Sequence, residues 1–495
     1  MTGELLGIDL GTSSAKVGLF SRGGQRLGFA RRAYPLAPSP RDGRAEQDPE
    51  QWWVAVRDAI RTILQGRDPR QVRAVCAGGQ GPTLVLVDER GSAVRPAMTW
   101  LDTRSRPQSA RLAQRVGGPL DYSILPRLLW VAENEPAVYA RTRWALQAWD
   151  FLACRLAGAR TAAASTLAGD AVWPRAWLEA AGLDASPLIP PLVEMGVPYA
   201  ETAGAWAEEA GLPAGIPIVA GVNDGIGSIV GAAGGVAGRA TDPGGAAGGL
   251  ALCWDRPLAA PGLACWPGLS PGTHIVGGAL AAGGRALDWW AAATGRGGVP
   301  AALRRAEQAP AGSGGLVFLP FLAGERAPLW DAEARGAFLG LTLDHGAPHL
   351  ARAVLEGAAY ALRLLAETLV AAGGRIDELR ICGRQAESHL WNQIKADVTG
   401  CRAVVPRVEE VALMGDAIAA AVGAGFYPDL VTAGEAMVRV ARVLAPDPAN
   451  RAIYAELFAI YQAAYPALRP LWRLEPRGHG GARPRAASSG RLSPG

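Results

Sequence analysis

The chain has 495 residues, of which 49% are hydrophobic and 19% charged, so it can bury a large core and exceeds the size of one typical domain. Its formal net charge of +4 is small for this length and argues against a nucleic-acid-binding surface. The six cysteines form no CxxC pair, the N-terminus has no secretory pattern, and no run reaches the roughly 18 apolar residues of a membrane helix, which predicts a cytoplasmic protein without a membrane span.

The first elements read as strands from Leu5 to Asp9, from Lys16 to Phe20 and from Leu27 to Tyr34, joined by tight polar turns. The first turn, GTSSA, consists of small and hydroxylated residues. Such a turn lets backbone N–H groups approach an anion, and Lys16 could reach a phosphate. Asp9 beside a bound anion makes chemical sense if a cation such as Mg²⁺ lies between them. An ordinary hairpin turn is the alternative for this stretch taken alone.

A helix is predicted in the next segment, DPEQWWVAVRDAIRTILQG. Asp48 is the expected N-cap, Pro49 the first helical residue and Gln51 the reciprocal capping partner. Gly66 is expected to end the helix, whose buried face is predicted to contain Trp52, Val56, Ile60 and Ile63. At least one of Trp52 and Trp53 is expected to lie in the core rather than to form a platform for a ligand. VRAVCAGG then reads as a buried strand.

The second half repeats this order of strands and helices, which is typical of an α/β protein. Its predicted elements are a long helix ending at Gly373 and Gly374, the strand ELRICG, a helix from Ser388 to about Thr399 ended by Gly400, the strand RAVVP and a helix after Met414.

A short internal echo relates the two halves. DPGGAAGGLALC, starting at Asp242, and DLGTSSAKVGLF, starting at Asp9, share Asp, Gly and Leu at matching positions. We therefore expect two related lobes, 1–241 and 242–470, each with a hairpin aimed at a shared cleft. Residues 471–495, rich in Gly, Pro, Arg and Ser, read as a disordered tail.

Taken together, these segments resemble the FGGY family of carbohydrate kinases over roughly residues 5–443. GIDLGTSSAKVGLF and DPGGAAGGLALC resemble the two phosphate hairpins, and GRAEQDPEQWW, GGQGPTLVLVD and RPAMTWLDTRS resemble the sugar side. VAGVNDGIGSIVG resembles the segment with the catalytic aspartate. GERAPLWDAEARGAFLGL and LRICGRQAESHLWNQIKADVTG resemble the C-terminal core and adenosine segments. The resemblance implies an α/β fold of two actin-like, ribonuclease H-like ATPase lobes around a central cleft. It also implies that the lobe 1–241 binds the sugar and carries out catalysis, and that the lobe 242–470 binds the nucleotide.

The resemblance implies that Asp224 is the catalytic base that deprotonates the attacking hydroxyl, with Asp9 supporting Mg²⁺. Asp224 follows the apolar run IPIVAGVN and precedes a run of small residues, so we expect it at a junction between a strand and a helix. A helix N-cap is the structural alternative for Asp224, and the two roles are compatible.

The remaining candidate residues fall into a sugar group and a nucleotide group. The sugar group offers donors, acceptors and an apolar wall, and comprises Gln80, Trp100, Asp102, Arg104 and Asn223. Any of these polar residues could instead be a surface group, and for Arg104 both interpretations are equally consistent with the sequence. Glu46 and Gln47 could serve only to support their loop. The nucleotide group comprises Gly11, Thr12, Ser13, Lys16, Gly244, Gly245, Gly248, Gly383, Ala386 and Asn392.

Three departures from the family pattern bear on activity. Residues 243–249 contain no hydroxyl, so Gly245 or Ala246 stands where a threonine is usual. Losing one hydrogen bond to a charged group costs roughly 1.5 to 3 kcal/mol, which weakens turnover without abolishing it. Arg384 and Gln385 replace common glycines, and Arg384 would crowd the pocket if a positive φ were needed there. GGQGPTLVL also lacks the Met-His pair typical of xylulokinases.

We therefore expect an ATP-dependent kinase of a ketose or polyol, with a xylulose-like pentulose as substrate and ATP and Mg²⁺ as cofactors. The resemblance also suggests a homodimer. A glycerol kinase is the alternative within this class, and a catalytically weakened sugar- or nucleotide-binding regulator is the alternative outside it. A structural ATPase of the actin or chaperone kind shares the fold but leaves the sugar-side strands unexplained.

Overall fold

The computed structural model describes residues 3–35, 37–38, 42–116, 120, 123–159, 162–167, 175–183, 188–295 and 297–474. Within these residues the chain forms two large mixed β-sheets, each with helices packed against it. The predicted disordered tail lies outside the described residues from position 475 onward, whereas positions 471 and 472 are the last residues of a helix.

The first half contains one large sheet and several short strands. Its strands are β1 (Glu4–Leu10), β2 (Ser14–Ser21), β3 (Arg26–Ala33), β4 (Ala37–Pro38), β5 (Ala45–Gln47), β6 (Val72–Gly79), β7 (Val85–Val87), β8 (Ala97–Met98), β9 (Trp144–Leu146), β10 (Ala164–Thr166), β11 (Leu192–Glu194), β12 (Pro198–Glu201) and β13 (Pro217–Val219). Its helices are α1 (Pro49–Leu64), α2 (Arg106–Val116), α3 (Leu125–Asn134), α4 (Pro136–Ala140), α5 (Ala148–Leu156), α6 (Arg175–Ala181), α7 (Gly204–Ala210) and α8 (Asp224–Gly231).

The second half contains the other large sheet. Its strands are β14 (Arg239–Asp242), β15 (Gly249–Trp254), β16 (Ala264–Pro267), β17 (His274–Ala279), β18 (Val317–Leu319), β19 (Ala337–Leu339), β20 (Glu378–Ile381), β21 (Ala403–Pro406) and β22 (Val440–Leu444). Its helices are α9 (Gly283–Ala293), α10 (Gly298–Ala306), α11 (Ala347–Ala371), α12 (His389–Thr399), α13 (Val411–Gly423), α14 (Leu430–Met437) and α15 (Pro448–Trp472).

The two large sheets share one topology. The first has the order β12-β13-β6-β1-β2-β3, and its strand β1 pairs antiparallel with β2 and parallel with β6. The second has the order β16-β17-β15-β14-β20-β21-β22, and its strand β14 pairs antiparallel with β15 and parallel with β20. Strands β1 and β14 are therefore equivalent, and Asp9 and Asp242 lie near their carboxyl ends. This agrees with the internal echo in the sequence.

Helices α8 and α13 lie between the two sheets. One apolar cluster combines Leu5 of the first sheet and Ile275 of the second with Ile229 of α8 and Leu413 of α13. The two helices approach closely, because a Cβ at Gly415 would collide with the backbone of α8. Although α13 comes from the second half of the chain, it packs against the first sheet and connects the two halves. The predicted domain boundary itself stays a prediction.

Most predicted elements are confirmed, with two differences. Asp48 caps α1 as expected, but its side chain accepts from the Glu50 amide at 3.0 Å, and Gln51 is exposed instead of forming a capping box. Helix α13 begins at Val411, three residues before Met414. The sequence gives no cap signal there, because the residue before the helix, Glu410, is not of a type that commonly caps helices. Its side chain instead forms an ion pair with Lys16.

Candidate active site

Neighbouring parallel strands of the first sheet end level with one another. Leu10 at the end of β1 lies opposite Gly79 at the end of β6, and Gly79 forms a parallel bridge with Asn223. The residues that follow, Gln80 and Asp224, therefore leave the sheet side by side. The carboxyl ends of parallel strands are where open α/β sheets bind their ligands. This edge brings together predicted sugar residues and the predicted base.

Asp224 is the first residue of α8, at the predicted junction between strand and helix. The N-cap is its neighbour Asn223, whose Oδ1 accepts from the Ile226 amide at 3.0 Å, so the N-cap alternative for Asp224 is wrong. Asp224 is exposed to solvent, although nearby protein atoms displace part of the water around its carboxyl group. The loss of surrounding water raises its pKa to about 7, and the nearby Asp9 carboxylate adds to the increase. Such a carboxyl group can accept a proton near neutral pH.

Lys16 faces Asp9 across the first hairpin. Its Nζ lies 3.2 Å from Asp9 Oδ2 and 2.7 Å from Glu410 Oε2. Burial alone would lower the pKa of Lys16, but Asp9 and Glu410 outweigh burial and raise it, so the ammonium stays charged. Burial raises the pKa of Asp9 despite the neighbouring Lys16. Because Glu410 directly precedes α13, this ion pair connects the first hairpin to the second half of the chain.

The turn after β1 presents backbone donors. The Gly11 amide donates to the Ser14 carbonyl at 3.1 Å, and the Tyr34 hydroxyl donates to the Gly11 carbonyl. Within the described residues, the N–H groups of Thr12 and Ser13 have no hydrogen-bond partner. Two unpaired amides beside a charged lysine form a site that suits an anion.

Lys395 holds the second hairpin, between β14 and β15, from beneath. Its Nζ donates to Asp242 Oδ2 and to Gln385 Oε1, both at 2.6 Å, and Gln385 Nε2 donates to the Gly245 carbonyl at 2.9 Å. Asp242 Oδ1 also accepts from the Gly244 amide at 3.0 Å. The sequence analysis missed Lys395. Its signal was a lysine on an otherwise buried stretch of α12, IKADV.

The second hairpin also presents backbone donors. In the part of the chain that the structure describes, the N–H groups at positions 245 to 248 have no hydrogen-bond partner. Gly244 and Gly248 have φ values of +60° and +75°, a conformation that favours glycine. The amides can therefore receive an anion although no hydroxyl is present at 243–249.

The predicted adenosine residues shape the loop next to this hairpin. Gly383 has φ +63°, and a Cβ there would lie 2.5 Å from the Pro243 carbonyl oxygen. Asn392 is fully buried, and its Nδ2 donates to the carbonyl of Ala386, itself 7% exposed, at 2.7 Å. Asn392 thus supports the backbone of the loop and presents no surface of its own.

Arg384 does not crowd this loop. The positive φ falls on Gly383, and residues 384–387 form a short 3₁₀ helix, so Arg384 needs no strained backbone. Its side chain is 70% exposed and lies 3.2 Å from Asp288 Oδ2 of α9. The crowding by a strained Arg384 that the sequence left open is therefore not found.

The start of α13 lies beside both hairpins. Glu410 pairs with Lys16 of the first hairpin. Val411 belongs to the same small apolar cluster as Cys382, whose amide donates to the Asp242 carbonyl of the second hairpin at 3.0 Å. Two consecutive residues at the start of α13, Glu410 and Val411, thus connect this helix to both of the phosphate hairpins predicted from the sequence.

Gln80 and Trp100 both connect to the phosphate turn. Gln80 Nε2 donates to Gln47 Oε1 at 2.8 Å, and Gln47 Nε2 donates to the Thr12 carbonyl at 2.7 Å. Trp100 is 39% exposed, and its Nε1 donates to Thr12 Oγ1 at 3.0 Å. Gln80 Oε1 is buried and has no partner among the described residues. Gln47, for which support of its loop was one interpretation of the sequence, lies between Gln80, a predicted sugar residue, and Thr12, a predicted phosphate residue.

Arg104 and Asp102 form an internal ion network. Arg104 is 8% exposed, so the interpretation as a surface group is wrong. It pairs with Asp102 at 2.7 Å and with Glu46, and its guanidinium stacks over Trp130 at 4.4 Å from the ring centre. Asp102 Oδ2 also accepts from the Ala45 amide at 3.0 Å. These contacts fix the loop before α1 and leave little of either side chain exposed.

Asp416 on α13 is a further buried carboxyl group beside the site, and the sequence analysis missed it. A Cβ at Gly78 would collide with its Oδ1, and Gly78 lies opposite Asp9 in the sheet. Burial raises the pKa of Asp416 well above its ordinary value, and Asp9 and Asp224 add to the increase. The signal was one acid in the otherwise apolar and small-residue run LMGDAIAAAVG.

Comparisons with known proteins decide the family. Residues 5–231 match the N-terminal domain of the FGGY family of carbohydrate kinases, and residues 256–424 match its C-terminal domain. The chain belongs to the FGGY family of carbohydrate kinases. Like other FGGY kinases it has the two-lobed actin-like α/β fold that the sequence predicted, and it is a sugar kinase.

Named relatives span nearly the whole FGGY chain. Xylulose kinase of Escherichia coli K12 is 32% identical over 424 residues, which cover 80% of this chain and 84% of that protein. The structure of xylulose kinase from Rhodospirillum rubrum has a TM-score of 0.82 and 26% identity, covering 95% of this chain and 100% of that one. A gluconate kinase structure from Lactobacillus acidophilus has a TM-score of 0.85 at 24% identity, covers 94% of this chain and 98% of that one, and shows the fold alone.

No helix in the described ranges is long and apolar enough to cross a membrane.

Proposed function

We propose that this FGGY kinase transfers the γ-phosphoryl group of ATP to a hydroxyl of a xylulose-like pentulose, with Asp224 as the base. The proposal is carried by the placement of Asp224 beside Gln80 at the carboxyl edge of the first sheet. A pKa of about 7 suits the removal of a proton from an alcohol near neutral pH. The sugar hydroxyl would lie between Asp224 and the phosphates.

The two hairpins supply what the phosphates need. Lys16 offers a charged ammonium, and the unpaired amides of Thr12 and Ser13 offer donors on the same turn. The amides at 245–248 offer donors on the second hairpin. Donors placed before the reaction stabilise the charge that shifts between phosphoryl oxygens, because they need not reorganise.

Asp9 fits a magnesium site that is completed by ATP. Among the described residues, no group of three or more His, Cys, Asp or Glu could hold a metal ion unaided. Mg²⁺ in kinases commonly takes one or two carboxylates and completes its shell with phosphates and water. Asp9, buried beside Lys16, supplies one such carboxylate. Bound Mg²⁺ would neutralise phosphate charge during transfer.

A substrate panel tests this function. ADP release is measured with purified chain and MgATP against D-xylulose, L-xylulose, D-ribulose, glycerol and gluconate, with a sugar-free blank. We expect kcat/KM for a xylulose to exceed that for glycerol by at least about tenfold, because glycerol lacks the hydroxyls that further polar groups would recognise. Turnover only with glycerol or gluconate would overturn the pentulose assignment. Sugar binding without turnover on any substrate would favour the regulator instead.

A further inference from the structure

Gln47 forms the middle of a chain of hydrogen bonds that runs from the phosphate turn to the sugar side. It ends strand β5 and is only 3% exposed. Both ends of its amide are used, because Nε2 donates to the Thr12 carbonyl at 2.7 Å and Oε1 accepts from Gln80 Nε2 at 2.8 Å. A side chain that serves only its own loop would not link these two segments.

The direction of these bonds follows from chemistry at one end. The Thr12 carbonyl has no proton to donate, so Gln47 must turn its NH₂ group toward it. Gln47 therefore turns its oxygen toward Gln80, and Gln80 must donate to that oxygen from its own NH₂ group. The remaining atom, Gln80 Oε1, is left as an acceptor, and it is buried without a partner among the described residues.

The unpaired oxygen belongs to a residue beside the proposed base. Gln80 follows Gly79, and Asp224 follows Asn223, the residue that Gly79 bridges. A buried acceptor without a donor is costly, so this position favours a ligand that brings a hydroxyl proton. Trp100 adds a second link between the sugar side and Thr12, through its Nε1 and Thr12 Oγ1 at 3.0 Å.

We propose that Gln47 is a positioning residue that orients Gln80 so that its Oε1 accepts from a sugar hydroxyl, and that it ties that contact to the turn after β1 at Thr12. This inference rests on the proposed sugar-kinase function and deepens it. It has two consequences. The hydroxyl that meets Gln80 Oε1 must donate its proton, and sugar binding must strengthen nucleotide binding, since both ligands contact one connected set of residues.

Gln47→Glu tests the direction of the bonds, because glutamate has the same shape. When ionised, it turns a second acceptor toward the Thr12 carbonyl, and when protonated it can donate there as glutamine does. Burial raises the pKa of a glutamate, so the protonated form of the new side chain becomes more populated as the pH falls. The charged neighbours are Glu46 and Asp48 in sequence, and Glu46 is paired with Arg95 and Arg104.

The measurement is kcat/KM for the best sugar, as a ratio to wild type at each pH so that titration of Asp224 cancels. We expect Gln47→Glu to lose about tenfold or more at pH 8, the equivalent of one good hydrogen bond, and to recover most of the loss at pH 6. Gln47→Met should lose activity equally at both pH values. It should also abolish the sugar-induced gain in nucleotide affinity, measured by titration with a non-hydrolysable ATP analogue.

Gln65→Glu is the matched control, because Gln65 is exposed just after α1, and it should behave as wild type at both pH values. Nucleotide binding without sugar and thermal unfolding report that each variant is folded. Activity of both Gln47 variants within twofold of the control, or equal losses of Gln47→Glu at pH 6 and pH 8, would overturn this inference while wild type remains an active sugar kinase. A wild type that phosphorylates no sugar would overturn the proposed function, and this inference with it.

Discussion

Replacing Asp224 by asparagine removes the proposed base while keeping the size and polarity of the side chain. A positioned general base contributes about 10²- to 10⁴-fold to a rate, so we expect kcat for sugar phosphorylation to fall within that range. Nucleotide affinity should change little, because the proposed phosphate contacts lie on the hairpins and not on α8. The variant should stay folded, since the capping bond of α8 is made by Asn223.

The pKa of the same group sets the pH profile of the wild type. With a pKa of about 7, Asp224 is ionised in about one tenth of the molecules at pH 6 and about nine tenths at pH 8, so kcat/KM should rise about tenfold between them. Because this pKa is raised above its unfolded value, ionisation costs stability as the pH rises from about 4 to about 7. Asp224→Asn removes that cost, so its unfolding temperature at pH 8 should equal or exceed that of wild type.

The assay is ADP release coupled to a spectrophotometric readout, with saturating ATP and varied sugar. Asp255→Asn serves as control, because Asp255 is an exposed carboxylate that pairs with its neighbour Arg256, and it should leave kcat unchanged. Retained phosphorylation in Asp224→Asn would refute the assignment of the base. A wild-type kcat/KM that stays constant between pH 6 and pH 8, measured where chemistry limits the rate, would refute the link between the raised pKa of Asp224 and catalysis.

Three further predictions concern the surroundings of the site. Lys16→Met should raise the KM for ATP by about tenfold or more because a charged hydrogen bond to phosphate is lost, and an unchanged KM would place the phosphates elsewhere. Gly383→Ala should destabilise the fold by about 1 to 3 kcal/mol or misplace the second hairpin, since its Cβ meets carbonyl oxygens. Gly400→Ala, also at positive φ but with open space around the Cβ, should cost only about 1 kcal/mol in the same denaturant titration, and equal losses would contradict the steric reason. Asp416→Asn should reduce the loss of stability that wild type shows between pH 5 and pH 8, because folding holds the Asp416 proton to higher pH; unchanged pH dependence in denaturation would show that Asp416 does not titrate as its burial implies.

Local features of the fold were open to sequence analysis because they depend on neighbouring residues. The cap at Asp48, the left-handed ends at Gly66 and Gly400 and the core position of Trp52 follow from short-range chemistry and helical spacing. The start of α13 was placed too late for the opposite reason. The residue before the helix, Glu410, is not of a type that commonly caps helices, so no local cap signal exists. Its side chain pairs with Lys16, nearly 400 positions away in the chain.

The sequence by itself determined the α/β class and the paired hairpins and nominated the candidate site residues, because strand periodicity, small-residue turns and family motifs are local patterns. Only the tertiary structure decided how these residues act on one another. In the structure Asn223 caps α8, so the side chain of Asp224 is not needed as a cap. Arg104 is buried in an ion network, and Asp416 and Lys395 lie beneath the site. Such roles depend on which distant groups share a low-dielectric space, and linear order does not record that proximity.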